Sequence, residues 1–309
     1  MTKIDLNQAL ERGVRSVGSV CIVQTPQVRS GKKNDFMVGR FVNKDQDVEF
    51  KIWEENIFRT VVENGQGIYH VDVEGSEFNG QQYLTVYRIE KETDPNISKR
   101  DFLDAIPRDL IIQMWQEVRR DLDELGTQQK TWDLVEKIVN GPKIKGRFMN
   151  EGAAITHHDS IIGGLAHHTL KMLRILVSVI KNNVYLLDYV DLLTLGIFVH
   201  DIGKVFEYNE LEIGEFWYAN HRVQGIEYLA EFKDTIIASY DEAFYRQIQS
   251  IIVGHHGEYG DRPTTIAAGI VHYIDTAESQ ITELVDMEKK STDGRVYFRD
   301  WGYLAGLKY

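Results

Sequence analysis

The hydrophobic period changes once along this chain, and that change limits what it can fold into. Up to Thr93, short apolar segments alternate inward and outward residues at the period of a β-strand. From Ser98 onward, apolar residues recur every three or four positions, the period of a helix. A β-rich part followed by an α-rich part is expected, with Asp94-Pro95-Asn96 as the junction. The 309 residues are enough to bury two cores.

In the first part, Val20–Val28, Asp35–Asn43, Val48–Trp53, Gly67–Val73 and Tyr83–Ile89 are rich in β-branched and aromatic residues. Turn-forming clusters separate them at Ser30-Gly31-Lys32-Lys33-Asn34, Asn43-Lys44-Asp45 and Asn79-Gly80. Glu54 to Glu63 reads as a helix between the third and fourth strands. Five strands with a helix at that point are the order of an OB-fold barrel. Val48, Phe50 and Ile52 are expected inward, with Glu49, Lys51 and Trp53 outward. In the second part, Ser98 with Asp101 resembles an N-cap signal, and Pro107-Arg108-Asp109 opens a helix. The stretch to about Lys290 reads as all-helical, broken at Gly141-Pro142, Gly163-Gly164, Asn182-Asn183 and Arg262-Pro263. The tail Asp293–Tyr309 fits neither period. The fold expected is multidomain β + α: an OB-fold over residues 1–95, a helical connector over 96–150 and an all-α domain over 151–309.

The chemistry is concentrated in the helical part. Leu192 to Lys204 is an apolar helix that ends in the doublet His200-Asp201. Polar groups buried without partners cost free energy, so a cation is the economical explanation. His168 lies in register with Leu165, Met172, Ile175 and Val179, which puts it on the inward face of its helix. Asp201 continues Leu193 and Ile197, His255 continues Ile248 and Ile251 or Ile252, and Asp275 continues Ala268 and Val271. Four helices are thus expected to present a ligand type at a core-facing position near one end. Any one of these alone reads as a satisfied core histidine or a capping aspartate. Together they point to a metal site, since mixed imidazole and carboxylate donors suit divalent first-row ions. Two ions are expected: one held by His168, His200, Asp201 and Asp275, and a second held by His221, His255 and His256 with Asp201 bridging. Paired ions clamp the attacking and leaving oxygens of a phosphoryl displacement. Lys204, three residues after Asp201, is a candidate to neutralise a phosphate oxygen.

The remaining composition restricts partners. Net charge is −12, which argues against binding duplex DNA through bulk electrostatics. The single cysteine, Cys21, excludes an internal disulfide framework and fits a cytoplasmic setting. No apolar run approaches the roughly 20 residues needed to cross a bilayer, so no membrane association is expected. On the β part, Trp53, Lys51 and Arg40, with Lys32 and Lys33 in the first loop, are candidates for a single-strand track. Residues 1–95 nevertheless hold more Asp and Glu than Lys and Arg.

The order His168, His200-Asp201-Ile202-Gly203-Lys204, His221, His255-His256, Asp275 resembles the HD-domain metal-dependent phosphohydrolases. Three longer stretches are similar to the YhaM-type 3′–5′ exoribonucleases: Gly163-Gly164-Leu165-Ala166-His167-His168-Thr169-Leu170-Lys171-Met172-Leu173, His255-His256-Gly257-Glu258-Tyr259-Gly260 and His272-Tyr273-Ile274-Asp275. That family carries an N-terminal OB-fold, so the resemblance spans nearly the whole chain. It implies a metal-activated water attacking the phosphodiester of single-stranded RNA, with single-stranded DNA as a second substrate and Asp201 and Lys204 as the catalytic pair. It implies two divalent ions, Mn2+ foremost and Co2+, Fe2+ or Mg2+ as alternatives. The family motif places its ligand before Thr-Leu, hence His168 and not His167. His157 and His158 align with a His-rich approach to the same helix and are candidates for substrate contact, as is Arg222. Two departures stand out: Thr276 where an asparagine is common, and the loop Arg29–Asn34, which is this chain's own. A phosphohydrolase of free or cyclic nucleotides, and a single-strand-binding protein with a vestigial HD site, are the competing readings. Homo-oligomerisation is left open.

Overall fold

The computed structural model describes residues 3–31, 34–44, 46–94, 96–153, 161–209, 211–215, 217–298 and 301–307. Lys32, Lys33, His157 and His158 lie outside the described residues. The chain divides into two compact units, residues 1–105 and 106–309.

The first unit contains a six-stranded sheet. After a short helix α1 (Leu6–Ala9) come β1 (Arg15–Ile22), β2 (Gln27–Ser30), β3 (Asp35–Asn43) and β4 (Gln46–Ile52). Helix α2 (Glu55–Asn64), β5 (Gly67–Phe78) and β6 (Gln81–Lys91) follow. The sheet order is β1-β5-β6-β4-β3-β2. β1 also meets β3 through Cys21 opposite Val42, so the pairing returns to its starting strand. The expected count of five strands is corrected to six. The run Val20–Val28 is not one strand: β1 starts at Arg15, and the segment ending in Pro26 interrupts the ladder before β2 begins. Proline has no N–H to donate, which is why a ladder stops there. Along β4, Val48, Phe50 and Ile52 are buried and Glu49 and Lys51 face out. Phe41 and Phe50 stack at 4.0 Å between ring centroids inside the sheet.

The second unit is largely helical. Its helices are α3 (Arg108–Glu124), α4 (Gln129–Val139), α5 (Gly164–Asn182), α6 (Val190–Val199), α7 (Lys204–Glu207), α8 (His221–Ala230), α9 (Lys233–Ser239), α10 (Glu242–Gly254) and α11 (Ile266–Lys290). Breaks fall where the sequence carries breakers: Pro107 caps α3, Gly163 caps α5 in the left-handed conformation, and α5 ends at Asn182. Ser98 and Asp101 do form a reciprocal capping box, but over a single 3-10 turn rather than an α-helix. Side chains of α3 and α4, among them Ile111, Val118, Trp132 and Val135, share one core with those of α5 to α11. At its centre runs α6, all ten of whose residues are buried. Apart from Asp191, which accepts hydrogen bonds from Gln128 and Thr131, and Thr194, its residues are apolar or glycine, and such a helix sits inside other helices. The all-helical reading needs two corrections. A small hairpin joins β7 (Tyr208–Asn209) to β8 (Glu212–Ile213), and the tail forms a second hairpin from β9 (Arg295–Phe298) and β10 (Gly302–Ala305).

Candidate metal centre

The centre forms where α6 and α10 end. The last four carbonyls of a helix have no partner within it. His200 directly follows α6, and its Nδ1–H donates to Ile197 O at 2.7 Å. His255 directly follows α10 and repeats the arrangement, with Nδ1–H donating to Ile252 O at 2.9 Å. Each ring thus caps its own helix and holds its proton on Nδ1, which leaves the Nε2 lone pair free. His168, on the second turn of α5, turns its Nδ1 to Glu278 Oε2, and His221, first residue of α8, turns Nδ1 to Glu207 Oε2 at 2.6 Å. Four histidines from four helices therefore have Nδ1 bound to an oxygen.

The Nε2 atoms converge on Asp201. Its Oδ1 lies 3.3 Å from His255 Nε2 and 3.6 Å from His221 Nε2, and its Oδ2 lies 3.3 Å from His200 Nε2. Two groups have ligand atoms all within 4.8 Å of one another: His168, His200 and Asp201, and Asp201, His221, His255 and His256. Asp201 belongs to both. Asp275 joins the first group through His168, its Oδ1 3.2 Å from Nε2. The structure thus brings together all seven residues expected to bind metal. One detail is corrected: Asp275 lies in the middle of the 25-residue α11, not near an end. It reaches the centre because α11 packs along α5 and α10.

The donor set fits a divalent cation. His200 Nε2, His255 Nε2 and Asp201 Oδ1 are buried without a hydrogen-bond partner among the described residues. Native interiors rarely leave such atoms unsatisfied, and an ion in each ligand group would satisfy all three. His221 Nε2 and His256 Nε2 face each other at 3.1 Å, a distance two lone pairs hold only with a proton or cation between them. Burial, with His255 adjacent, pushes His256 down to about 3, and burial lowers His255 as well, so both present neutral rings. Burial alone would raise Asp201, but the charge of Lys204 holds it well below the usual carboxylate range. Lys204 Nζ donates to Asp201 Oδ2 at 2.6 Å, and Asp201 keeps it charged despite its burial.

His168 behaves differently. Burial opposes its charge, yet hydrogen bonds to Asp275 and Glu278 raise it to about 10. Without a metal it therefore carries both protons at neutral pH. Coordination through Nε2 needs the neutral ring, so metal uptake is expected to release a proton there, and affinity should climb as pH rises toward 10. Calorimetric titration with Mn2+ in buffers of different ionisation enthalpy reads this directly. Heats that do not depend on the buffer would remove His168 from the ligand set.

Other expected residues fall elsewhere. Arg222 Nη1 donates to Val253 O and to Asp261 Oδ2, both at 3.1 Å. In the first unit, Arg40 is paired with Asp47 and Lys51 stands over the Tyr83 ring beside Glu49. Trp53 is 46% exposed and stacks on Phe36 at 4.8 Å. Three residues went unread in the sequence. Glu278, on the buried stripe of α11 with Val271 and Ile274, carries the same signal as Asp275 and was open to the same argument. Glu207 gave none, and His272 stood in a family-like stretch without a role: its Nδ1–H donates to His255 O at 2.6 Å from 17 residues away.

The HD domain family matches residues 165–279, the span from α5 to α11 that contains all seven candidate ligands. Curated relatives named 3′–5′ exoribonuclease YhaM are similar over most of the chain. That of Listeria welshimeri is 23% identical over 269 residues, 84% of this chain and 83% of the relative. That of Bacillus subtilis is 25% identical over 257 residues, 80% of this chain and 79% of the relative. No solved structure matches the chain significantly. The chain carries an HD domain at residues 165–279 and is, over about four fifths of its length, similar to the YhaM proteins.

Proposed function

We propose that this protein is a metal-dependent 3′–5′ exoribonuclease that removes nucleotides from single-stranded RNA, with Mn2+ as the preferred ion, acting in the cytoplasm. The observation that carries the reading is the carboxylate of Asp201 standing in two ligand groups at once, in a chain similar to exoribonucleases. When bound there, paired divalent ions supply an ionised water and positive charge for the reacting phosphate. Asp201 turns one oxygen toward His221 and His255 and the other toward His200 and Lys204, so a single side chain fixes the separation of the groups. Glu278 and Glu207 keep His168 and His221 oriented with Nε2 inward. Lys204, held charged, offers an ammonium to a phosphate oxygen beside Asp201.

The first unit is read as an OB-type barrel that guides the strand. Support comes from the closed circuit β1-β5-β6-β4-β3-β1 and from α2 lying between β4 and β5, with β2 an added strand. Its strongest nucleic-acid feature is Trp53 on Phe36, since the charges of Arg40 and Lys51 already have acidic partners. With Mn2+, a 5′-labelled single-stranded RNA should shorten one nucleotide at a time and release mononucleotides. Intact RNA after long incubation with fully metallated protein rejects the reading.

A further inference from the structure

A cleft of about 820 Å³ runs along the outer side of α11, outside the ligand set. Two of its wall residues are sequence neighbours of candidate ligands: Gly257 follows His255-His256, and Thr276 follows Asp275. His272 joins the two, lining the cleft while its Nδ1–H holds His255 O at 2.6 Å. Its ring lies so close to Gly257 that a Cβ there would stand 2.3 Å from it, so the ligand-bearing turn and the cleft wall form one packed piece. The cleft's size is within the ~300–1,000 Å³ typical of ligand sites.

Its chemistry suits a single strand. Tyr273 is 74% exposed, its ring beside that of His272 at 5.3 Å between centroids. Exposed aromatic rings of this kind are where unpaired bases stack, independent of sequence. Arg262, also exposed, has no ion pair among the described residues, and Thr264 adds a hydroxyl on the same wall. One acid, Glu258, lies there too. A base platform, a cation and a hydroxyl beside a phosphodiester-cleaving centre match a nucleotide chain better than a lone mononucleotide.

We infer that this cleft holds the RNA strand just 5′ of the bond to be cut, with a base on Tyr273 and a backbone phosphate on Arg262. The inference rests on the exoribonuclease reading above. The test uses full-length protein and a short fluorescent RNA oligomer at fixed salt. Binding is measured by anisotropy on metal-stripped protein, and hydrolysis of a small chromogenic phosphodiester is measured separately with Mn2+. Tyr273→Ala and Arg262→Ala should each weaken oligomer binding by roughly tenfold. Tyr273→Phe, which keeps the ring, should bind like the unchanged protein, and all three should hydrolyse the chromogenic diester normally. Unchanged binding in both alanine variants overturns the inference, as does equal weakening by Tyr273→Phe. A matching fall on the chromogenic diester overturns it too, since the changes would then be acting through Asp275 and His255. Should the protein bind the oligomer as expected yet never degrade RNA, the exoribonuclease reading fails while the cleft stands as a strand-binding site.

Discussion

Asp201→Ala should abolish RNA hydrolysis and lower bound metal in both ligand groups at once. Every other candidate ligand sits in one group, whereas Asp201 sits in both and offers a different oxygen to each side. Its loss removes a negative charge that His200, His221 and His255 share, and takes from the Lys204 ammonium, 15% exposed, its hydrogen-bonded carboxylate. Loss of the charge stabilisation a metal pair provides is worth roughly 4 kcal/mol of barrier, on the order of a thousandfold in rate. Asp201→Asn separates charge from shape: it keeps the volume but offers a neutral oxygen and a donor that repels a cation. It should lose nearly as much activity while melting closer to the unchanged protein. Metal content by mass spectrometry and thermal melting with and without Mn2+ measure both effects. The unchanged protein should gain stability from Mn2+ and the alanine variant should gain little, because a ligand stabilises only the state that binds it. Full metal content in Asp201→Ala would end its role as the shared ligand.

How far this centre could be read from the sequence follows from what sets each part of it. His168, His200, Asp201 and His255 announce themselves because a polar side chain in an apolar helical stripe is costly, and the stripe is a local property of the chain. The Nδ1 caps on Ile197 O and Ile252 O are local as well, three residues back in each case. The partners of the other two histidines are not. Glu278 is 110 residues from His168, and Glu207 lies on a four-residue helix with no stripe to read. The six-stranded sheet shows the same division. Inward alternation along β4 is written in its residues, but whether the run around Pro26 yields one strand or two depends on its pairing with β3. Arg222 stands next to a candidate ligand in sequence, but on a helix neighbouring residues point about 100° apart, and its Nη1 donates to Asp261 and Val253 O, partners that its place in the sequence does not announce.

Gly203→Ala is the second large effect, and it tests whether the second ligand group depends on one close approach of backbone to backbone. Gly203 has an ordinary φ of −66°, so its conformation does not require glycine. Space does. A Cβ at Gly203 would stand 1.7 Å from His221 O and 2.7 Å from Gly225 N, and neither is a side chain that can swing away. The N-terminal turn of α8 must move outward to admit a methyl group, and His221 is the residue in that turn. Overpacking of this kind costs about 3 kcal/mol, which for a unit of this size lowers Tm by roughly 6–12 °C. Displacing His221 also parts its Nε2 from His256 and from Asp201, so the ion of that group should be lost while the group containing His168 and His200 keeps its own. Gly225→Ala supplies the matched comparison on the opposite wall, since a Cβ there meets its nearest atom at an ordinary 3.4 Å. It should leave metal content and Tm close to those of the unchanged protein. If Gly203→Ala keeps its full metal complement, His221 is not held in place by this contact, and the spacing of His200-Asp201 from α8 must be set by the Glu207 bond to His221 Nδ1 instead.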